Sequence, residues 1–248
     1  MSGAIVLTSS EGSFPGLAEA LRGRGLEVLE RPLIRFAEPD DWRPLDTALK
    51  RASSYQAIAL TSPRAGESVV ARVRACGIAW PPLPSPALWA SGPTTAAPVE
   101  RSLGPVRLPG KVSPELGAAA VLAEAMLEAG VAGPVLFPCG ATRRDELPTL
   151  LERSGVRVDS VVCYQTVLAD ADEARVLARS AAVVVVASPS VVNLLVRAGS
   201  TGERPLLVAV GPTTAAAASS AGWAPAVIAD EPTSTGVLNA ISTLQARR

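Results

Sequence analysis

The chain contains two tyrosines and no histidine, and these two facts bound its chemistry. Without imidazole there is no Ser-His or Cys-His pair, the usual general base is gone, and so is the commonest metal ligand. Of the remaining reactive groups, Tyr164 in the string CYQT is the candidate, because a phenol can hydrogen-bond or protonate a departing oxygen. A lone tyrosine at a strand end also reads as an amphipathic residue at the edge of a core. Cys139 in PCGATRR has no histidine to lower its thiol pKa, so it reads as a small buried residue and not as a nucleophile.

The other residues with chemical potential are small, polar and regularly placed. Six short strings carry them: TSS from Thr8, TSPR from Thr61, SGPTT from Ser91, PCGATRR from Pro138, ASPS from Ala187 and VGPTT from Val210. Each follows an apolar run and precedes a helical pattern, so each offers backbone N–H groups, hydroxyls and the positive end of a helix dipole. Ser62, Arg64, Thr94, Thr95, Cys139, Gly140, Arg143, Ser188, Ser190, Thr213 and Thr214 are therefore the candidate binding residues. Only Arg64, Arg143 and Arg144 bring full positive charge to these strings, which suits a ligand with carboxylates spread over a wide surface. The plain alternative for any one string is routine helix capping.

The elements that must position these residues are written twice. GPTTAA occurs at Gly92 and again at Gly211, and the same offset carries Thr94 to Thr213, Thr95 to Thr214 and Gly117 to Gly236. Nearby offsets align Ser62-Pro63 with Ser188-Pro189, Gly25 with Gly155, and Thr8-Ser9-Ser10 with Pro138-Cys139-Gly140, as loop deletions in a duplicated domain produce. The identity of the two GPTT strings predicts one shared turn geometry. Short continuous runs of Val, Ile, Leu and Ala predict strands at 4–8, 26–30, 57–61, 87–91 and 105–109, then at 134–138, 156–162, 181–187, 206–210 and 226–229. Helical patterns lie between them, several ending on glycine. Alternation of this kind gives an α/β fold with parallel sheets covered on both faces. The stretches 37–44 and 167–173 are expected to be the crossings between two lobes.

Composition removes further classes. Lys plus Arg and Asp plus Glu both total 23, so no basic face is implied for nucleic acid. No apolar run approaches membrane-spanning length, and the start MSGAIVLTSSEG lacks the pattern of a signal peptide. The three cysteines have no C-x-x-C spacing and fit free thiols, so a cytoplasmic protein is expected. GPVRLPGK has the wrong glycine spacing for a phosphate loop, and RGRGLE lacks the third glycine of a dinucleotide turn.

The ordered set of SPRA, GPTT, PVLFPCGATRRDELPTLLERSGVRVDSVVCYQT, ASPS, VGPTT and PTSTGVLNAI resembles the uroporphyrinogen-III synthase family over essentially the whole chain. The resemblance implies two flavodoxin-like lobes joined by a two-stranded linker, with residues 1–36 and 169–248 in one lobe, 38–166 in the other, and a substrate cleft between them. It implies no cofactor and no metal. The implied substrate is hydroxymethylbilane, closed to uroporphyrinogen III with ring D inverted. The enzyme would be a monomer with transient contacts to neighbouring pathway enzymes, and it would need neither nucleic acid nor a membrane. The family's tyrosine falls on Tyr164, its G-x-x-T threonines on Thr95 and Thr214, and its strand-end serines on Ser62 and Ser188. Many members carry Arg after the first strand's Thr, where this chain has Ser9. A non-catalytic bilobed binding module for a polycarboxylate would share these features and turn nothing over. A phosphosugar or nucleotide enzyme is a third reading.

Overall fold

The computed structural model describes residues 3–82, 84–110, 117–143, 145–199 and 204–247. In chain order the first part runs β1 (Ala4–Leu7), α1 (Leu17–Arg22), β2 (Val28–Glu30), β3 (Ile34–Ala37), α2 (Arg43–Lys50), β4 (Ala57–Leu60), α3 (Pro63–Ala75), β5 (Ala87–Ala90), α4 (Pro93–Leu103) and β6 (Val106–Arg107). The second part runs α5 (Ala118–Glu128), β7 (Val135–Gly140), α6 (Glu146–Arg153), β8 (Val158–Leu168), α7 (Ala171–Ser180), β9 (Ala181–Val186), α8 (Pro189–Ala198), β10 (Leu206–Val210), α9 (Pro212–Ser220), β11 (Val227–Ala229) and α10 (Ser234–Ala246).

These elements form two compact units, one of Met1–Phe36 with Val167–Arg248 and one of Ala37–Thr166. The boundary passes through β3 and through β8. The stretch after Ala37 is a loop that ends where Arg43 opens α2, and the stretch 167–173 holds the end of β8 and the start of α7. The Asp170 side chain caps α7 by accepting from the Glu173 N–H at 2.7 Å.

The first unit has a five-stranded sheet in the order β11-β10-β9-β1-β2, with every pair parallel. Its strands are apolar on both sides because both faces are covered, and alternate residues serve alternate faces. Ile5, Leu7, Val183 and Val185 meet α1 and α10 through Leu17, Leu21, Val237 and Ile241. Val6, Val184 and Val186 meet α7 and α8 through Leu177, Val192 and Leu195. Each such side chain, fully buried, contributes about 1.5–3 kcal/mol.

The second unit has a sheet in the order β3-β8-β7-β4-β5-β6, parallel from β8 to β6. Ile58, Leu60 and Leu88 face α2, α3 and α4 through Leu49, Val69 and Val99. Ala57, Trp89, Val135 and Phe137 face α5 and α6 through Leu122, Met126 and Leu147. Arg72 ties α3 to α2, giving the Asp46 carboxylate two bonds of 2.7 and 2.5 Å while lying 4.9 Å from the centre of the Trp42 ring. These bonds to Arg72 hold the Asp46 carboxyl below its usual range.

If β7 and β8 are placed in the roles of β1 and β2, both sheets have the order second-first-third-fourth-fifth of flavodoxin-like folds. Each unit thus takes its first two strands from one sequence repeat and its last three from the other. All ten strands expected from the apolar runs are present, and β3 is an addition to them.

Candidate functional site

Flavodoxin-like sheets have one place where neighbouring strands connect in opposite directions, and the crevice outside their carboxyl ends is the natural ligand position. In the second unit that place lies between β7 and β4. A cavity of about 350 Å³ opens there, lined among others by Thr61, Ser62, Cys139, Gly140, Arg143 and Tyr164. Five of the residues singled out from sequence are therefore brought together: Ser62, Cys139, Gly140, Arg143 and Tyr164. Thr142, within the PCGATRR string, also lines it, as do Glu146 and Gly117, which lie outside the six strings. Gly117 carried a signal as the repeat partner of Gly236; a Cβ there would lie 3.0 Å from the Glu146 carboxylate.

Local structure sets each side chain. Ser62 precedes α3 in extended conformation, and its Oγ accepts from the Ala65 N–H at 3.1 Å, so it is an N-cap whose own O–H remains a donor. Arg143 pairs with Asp145 at 3.1 Å. Cys139 is buried on β7 and its thiol donates to the Val161 carbonyl oxygen at 3.5 Å. Burial pushes that thiol up to about 11, and pushes Cys163 to about 12, so neither supplies a thiolate near neutral pH. Cys139 thus serves the cavity as wall.

Tyr164 reaches the cavity through a break in the β7–β8 ladder. The register runs Cys139 to Val162 and then Gly140 to Tyr164, passing over Cys163. The Tyr164 ring then lies against Gly140, where a Cβ would come within 2.8 Å of two ring carbons and 3.0 Å of the phenol oxygen. The second tyrosine is differently placed. Tyr55 is buried, donates to Asp159 Oδ2 at 2.8 Å and accepts from Arg51 Nη2 at 3.0 Å. Burial, reinforced by the Asp159 carboxylate, raises its pKa and marks it as a structural group.

The first unit has its own cavity at the equivalent place, between β1 and β9, of about 140 Å³. It is lined by Thr8, Ser9, Ser10, Ser13, Ile34, Ala187, Ser188 and Val191 and has no charged lining residue. Thr8 is fully buried and donates its hydroxyl to the Val185 carbonyl at 2.7 Å. Ser188 caps α8 by accepting from the Ser190 N–H at 3.3 Å, and the Ser190 side chain is exposed.

The remaining candidates lie apart from both cavity linings. Arg64 pairs with Glu67 one turn along α3 at 3.0 Å. Thr94 and Thr213 are exposed at the starts of α4 and α9, whereas Thr95 and Thr214 are buried. Neither helix has a side-chain cap, so both first turns keep backbone donors open. The expected identity of the two turns fails at their glycines. Gly211 has φ of 84°, a left-handed value that favours glycine, while Gly92 at −179° is simply extended. The shared pattern of exposed and buried threonines is what the repeated string preserves. Arg144 lies outside the described residues.

Among the described residues no group of His, Cys, Asp or Glu is arranged to hold a metal ion, and no helix is long and apolar enough to cross a membrane.

Comparison with known proteins supplies what the cavity alone does not. The family model described as uroporphyrinogen-III synthase HemD matches residues 16–239. A curated uroporphyrinogen-III synthase of Synechococcus elongatus is 29% identical over 167 residues, which is 65% of this chain. That alignment spans 60% of the relative's own length. A mutant uroporphyrinogen III synthase of the extremely thermophilic bacterium Thermus thermophilus superposes with a TM-score of 0.67 at 15% identity, covering 100% of both chains. The uroporphyrinogen-III synthetase of Helicobacter pylori 26695 gives 0.63 at 19% identity, covering 98% of this chain and 99% of that one. At such identities the structural matches speak for a common fold, and the family model speaks for descent. With nearly the whole sequence matched by that model, the chain belongs to the uroporphyrinogen-III synthase family.

Proposed function

We propose that this chain cyclises hydroxymethylbilane to uroporphyrinogen III, with water as the other product. The observation that carries the reading is the convergence of Tyr164, Ser62, Gly140 and Arg143 on one cavity at the β7/β4 crevice, in a chain of this family. In this reading the Tyr164 phenol hydrogen-bonds or protonates the hydroxymethyl oxygen as it leaves ring A as water. The azafulvene left behind is attacked by the substituted carbon of ring D, and the resulting spiro intermediate rearranges with ring D inverted before a proton is lost. Side-chain carboxylates of the substrate are met by the Arg143 guanidinium, the Ser62 and Thr94 hydroxyls and the open N–H groups at the start of α4. In the first unit Ser188, Ser190, Thr213 and the start of α9 offer donors of the same kind. Hydroxymethylbilane closes unaided to the type I isomer, so most of the enzyme's work is orientation.

The test is incubation of the purified chain with freshly generated hydroxymethylbilane, followed by oxidation and chromatographic separation of the type I and type III uroporphyrins. Predominantly type III product is expected. Type I alone, at the rate of the enzyme-free control, overturns the reading in favour of a binding module. The same reading makes the protein a cytoplasmic monomer in transient contact with neighbouring pathway enzymes. Light scattering on a sizing column, with a mass of one chain of 25.4 kDa expected, tests the monomer.

A further inference from the structure

We infer that Gly140 and Ser68 are positioning residues that set the Tyr164 phenol in the cavity, an inference that rests on the role just proposed for that phenol. Two independent features of the structure carry it. The first is the floor under the ring. Gly140 has an ordinary φ and is not required for backbone conformation, yet its missing Cβ is the space the Tyr164 ring occupies, with 2.8 Å to two ring carbons and 3.0 Å to the phenol oxygen. Contacts of that length do not occur between a real Cβ and a ring, so any side chain at this position must displace the ring, the strand or both.

The second feature is the latch on the ladder irregularity that brings the ring there. Skipping Cys163 takes its carbonyl out of the β7 register, and the Ser68 hydroxyl of α3 donates to that oxygen at 3.0 Å. The Cys163 thiol in turn donates to the Cys139 carbonyl at 3.4 Å, and the Ala141 N–H donates to the Tyr164 carbonyl at 3.0 Å. The irregularity is thus fastened on both sides of the residue it presents. Removing the Ser68 hydroxyl leaves a part-buried carbonyl without that donor and favours return of the strand to a regular register, which would turn Tyr164 toward the other face.

The experiment uses the full chain with its two tyrosine rings isotopically labelled, so that NMR reads Tyr164 against Tyr55 as an internal reference. Gly140→Ala and Ser68→Ala are expected to move the Tyr164 ring signals and leave those of Tyr55 in place. Unmoved Tyr164 signals overturn the inference, and so does equal movement of both rings. In parallel, turnover of hydroxymethylbilane to the type III product is measured for each variant with Tyr164 and with Phe at position 164. Gly140→Ala should lower kcat roughly tenfold with little change in KM, and should have no further effect once Tyr164→Phe is present. An equal loss in both backgrounds overturns the inference, because Gly140 would then act without the phenol. If Gly140→Ala does not fold, Ser68→Ala carries the same comparison, and Ser68→Thr, which keeps a hydroxyl, should restore turnover. Absence of type III product from the parent chain overturns the functional reading itself, a failure seen by chromatography and distinct from a failure of the ring signals to move.

Discussion

The two cavities occupy equivalent positions in equivalent sheets, yet their chemistry differs. At the β7/β4 crevice a glycine floor, a phenol, an arginine and a carboxylate line a volume of about 350 Å³. At the β1/β9 crevice the aligned residues are Thr8, Ser9 and Ser10, and the cavity, about 140 Å³, has no charged lining residue, while an adjoining space of about 320 Å³ that shares Ser9, Ser10 and Ser13 is lined also by Glu11 and Glu30. The difference begins at two positions: Gly140 leaves room for a ring where Ser10 would not, and Ser10 instead shares a 2.7 Å hydrogen bond with Ser13. Duplication supplied two like scaffolds, and a phenol and an arginine line the cavity of only one of them, while the serines of the other adjoin two carboxylates, Glu11 and Glu30.

The largest effect expected from this comparison is on turnover. Tyr164→Phe should lower kcat about a hundredfold, the usual scale of a lost proton donor, as read by the rate of type III product. A rate within a factor of two of the parent would remove the phenol from the mechanism and erase the contrast between the cavities.

Stability should separate the two units by their response to acid. Thr8→Val removes the hydroxyl bonded to Val185 and should cost about 1–2 kcal/mol in chemical denaturation, with the same loss at every pH. Asp46→Asn in the second unit should cost about 1 kcal/mol at neutral pH. Its pKa is lowered in the fold, so the ionised pair adds stability above the unfolded value near 3.8, and that addition disappears as pH falls toward the folded value. The gap between the denaturation midpoints of parent and Asp46→Asn should therefore begin to narrow as pH falls below the unfolded value near 3.8 and close only below the folded value. A gap that persists in acid would mean that the carboxylate charge is not what Arg72 uses.

The smallest effect should come from the first cavity's own residues. Exchanging Ser9-Ser10 for Cys-Gly, or Ser190 for Ala, should leave kcat within about threefold of the parent, as expected of contacts that orient without reacting. A loss equal to that of Tyr164→Phe would show that the uncharged cavity takes part in the chemical step.

Much of this was legible in the residues, for physical reasons. Ten strands announce themselves because sheets covered on both faces need unbroken apolar runs, as in AAVVVVA. β3 has no such run: Ile34–Ala37 reads IRFA, with three of its four residues exposed. The turns were legible as helix starts, and the caps by Ser62 and Ser188 are what Ser-Pro before a helix encodes. The difference between Gly92 and Gly211 was not legible, since glycine accepts both conformations and identical strings cannot report which is used. Nor was the seat under Tyr164. It depends on a skipped residue between two strands, and no single-sequence pattern encodes the register of a neighbour.

The exchange of strands between repeats has a consequence for folding during synthesis. The Ala37–Thr166 unit is continuous and can fold as it leaves the ribosome, while β1 must wait for β9, whose Val185 lies 177 residues beyond the hydroxyl it receives. An open loop of that length would resist closure through its entropy. The completed second unit removes most of that resistance, since β3 and β8 leave it as adjacent strands and so deliver the early and late segments side by side. Prior folding of the inserted unit should therefore shorten the effective loop that β1 must close to reach β9.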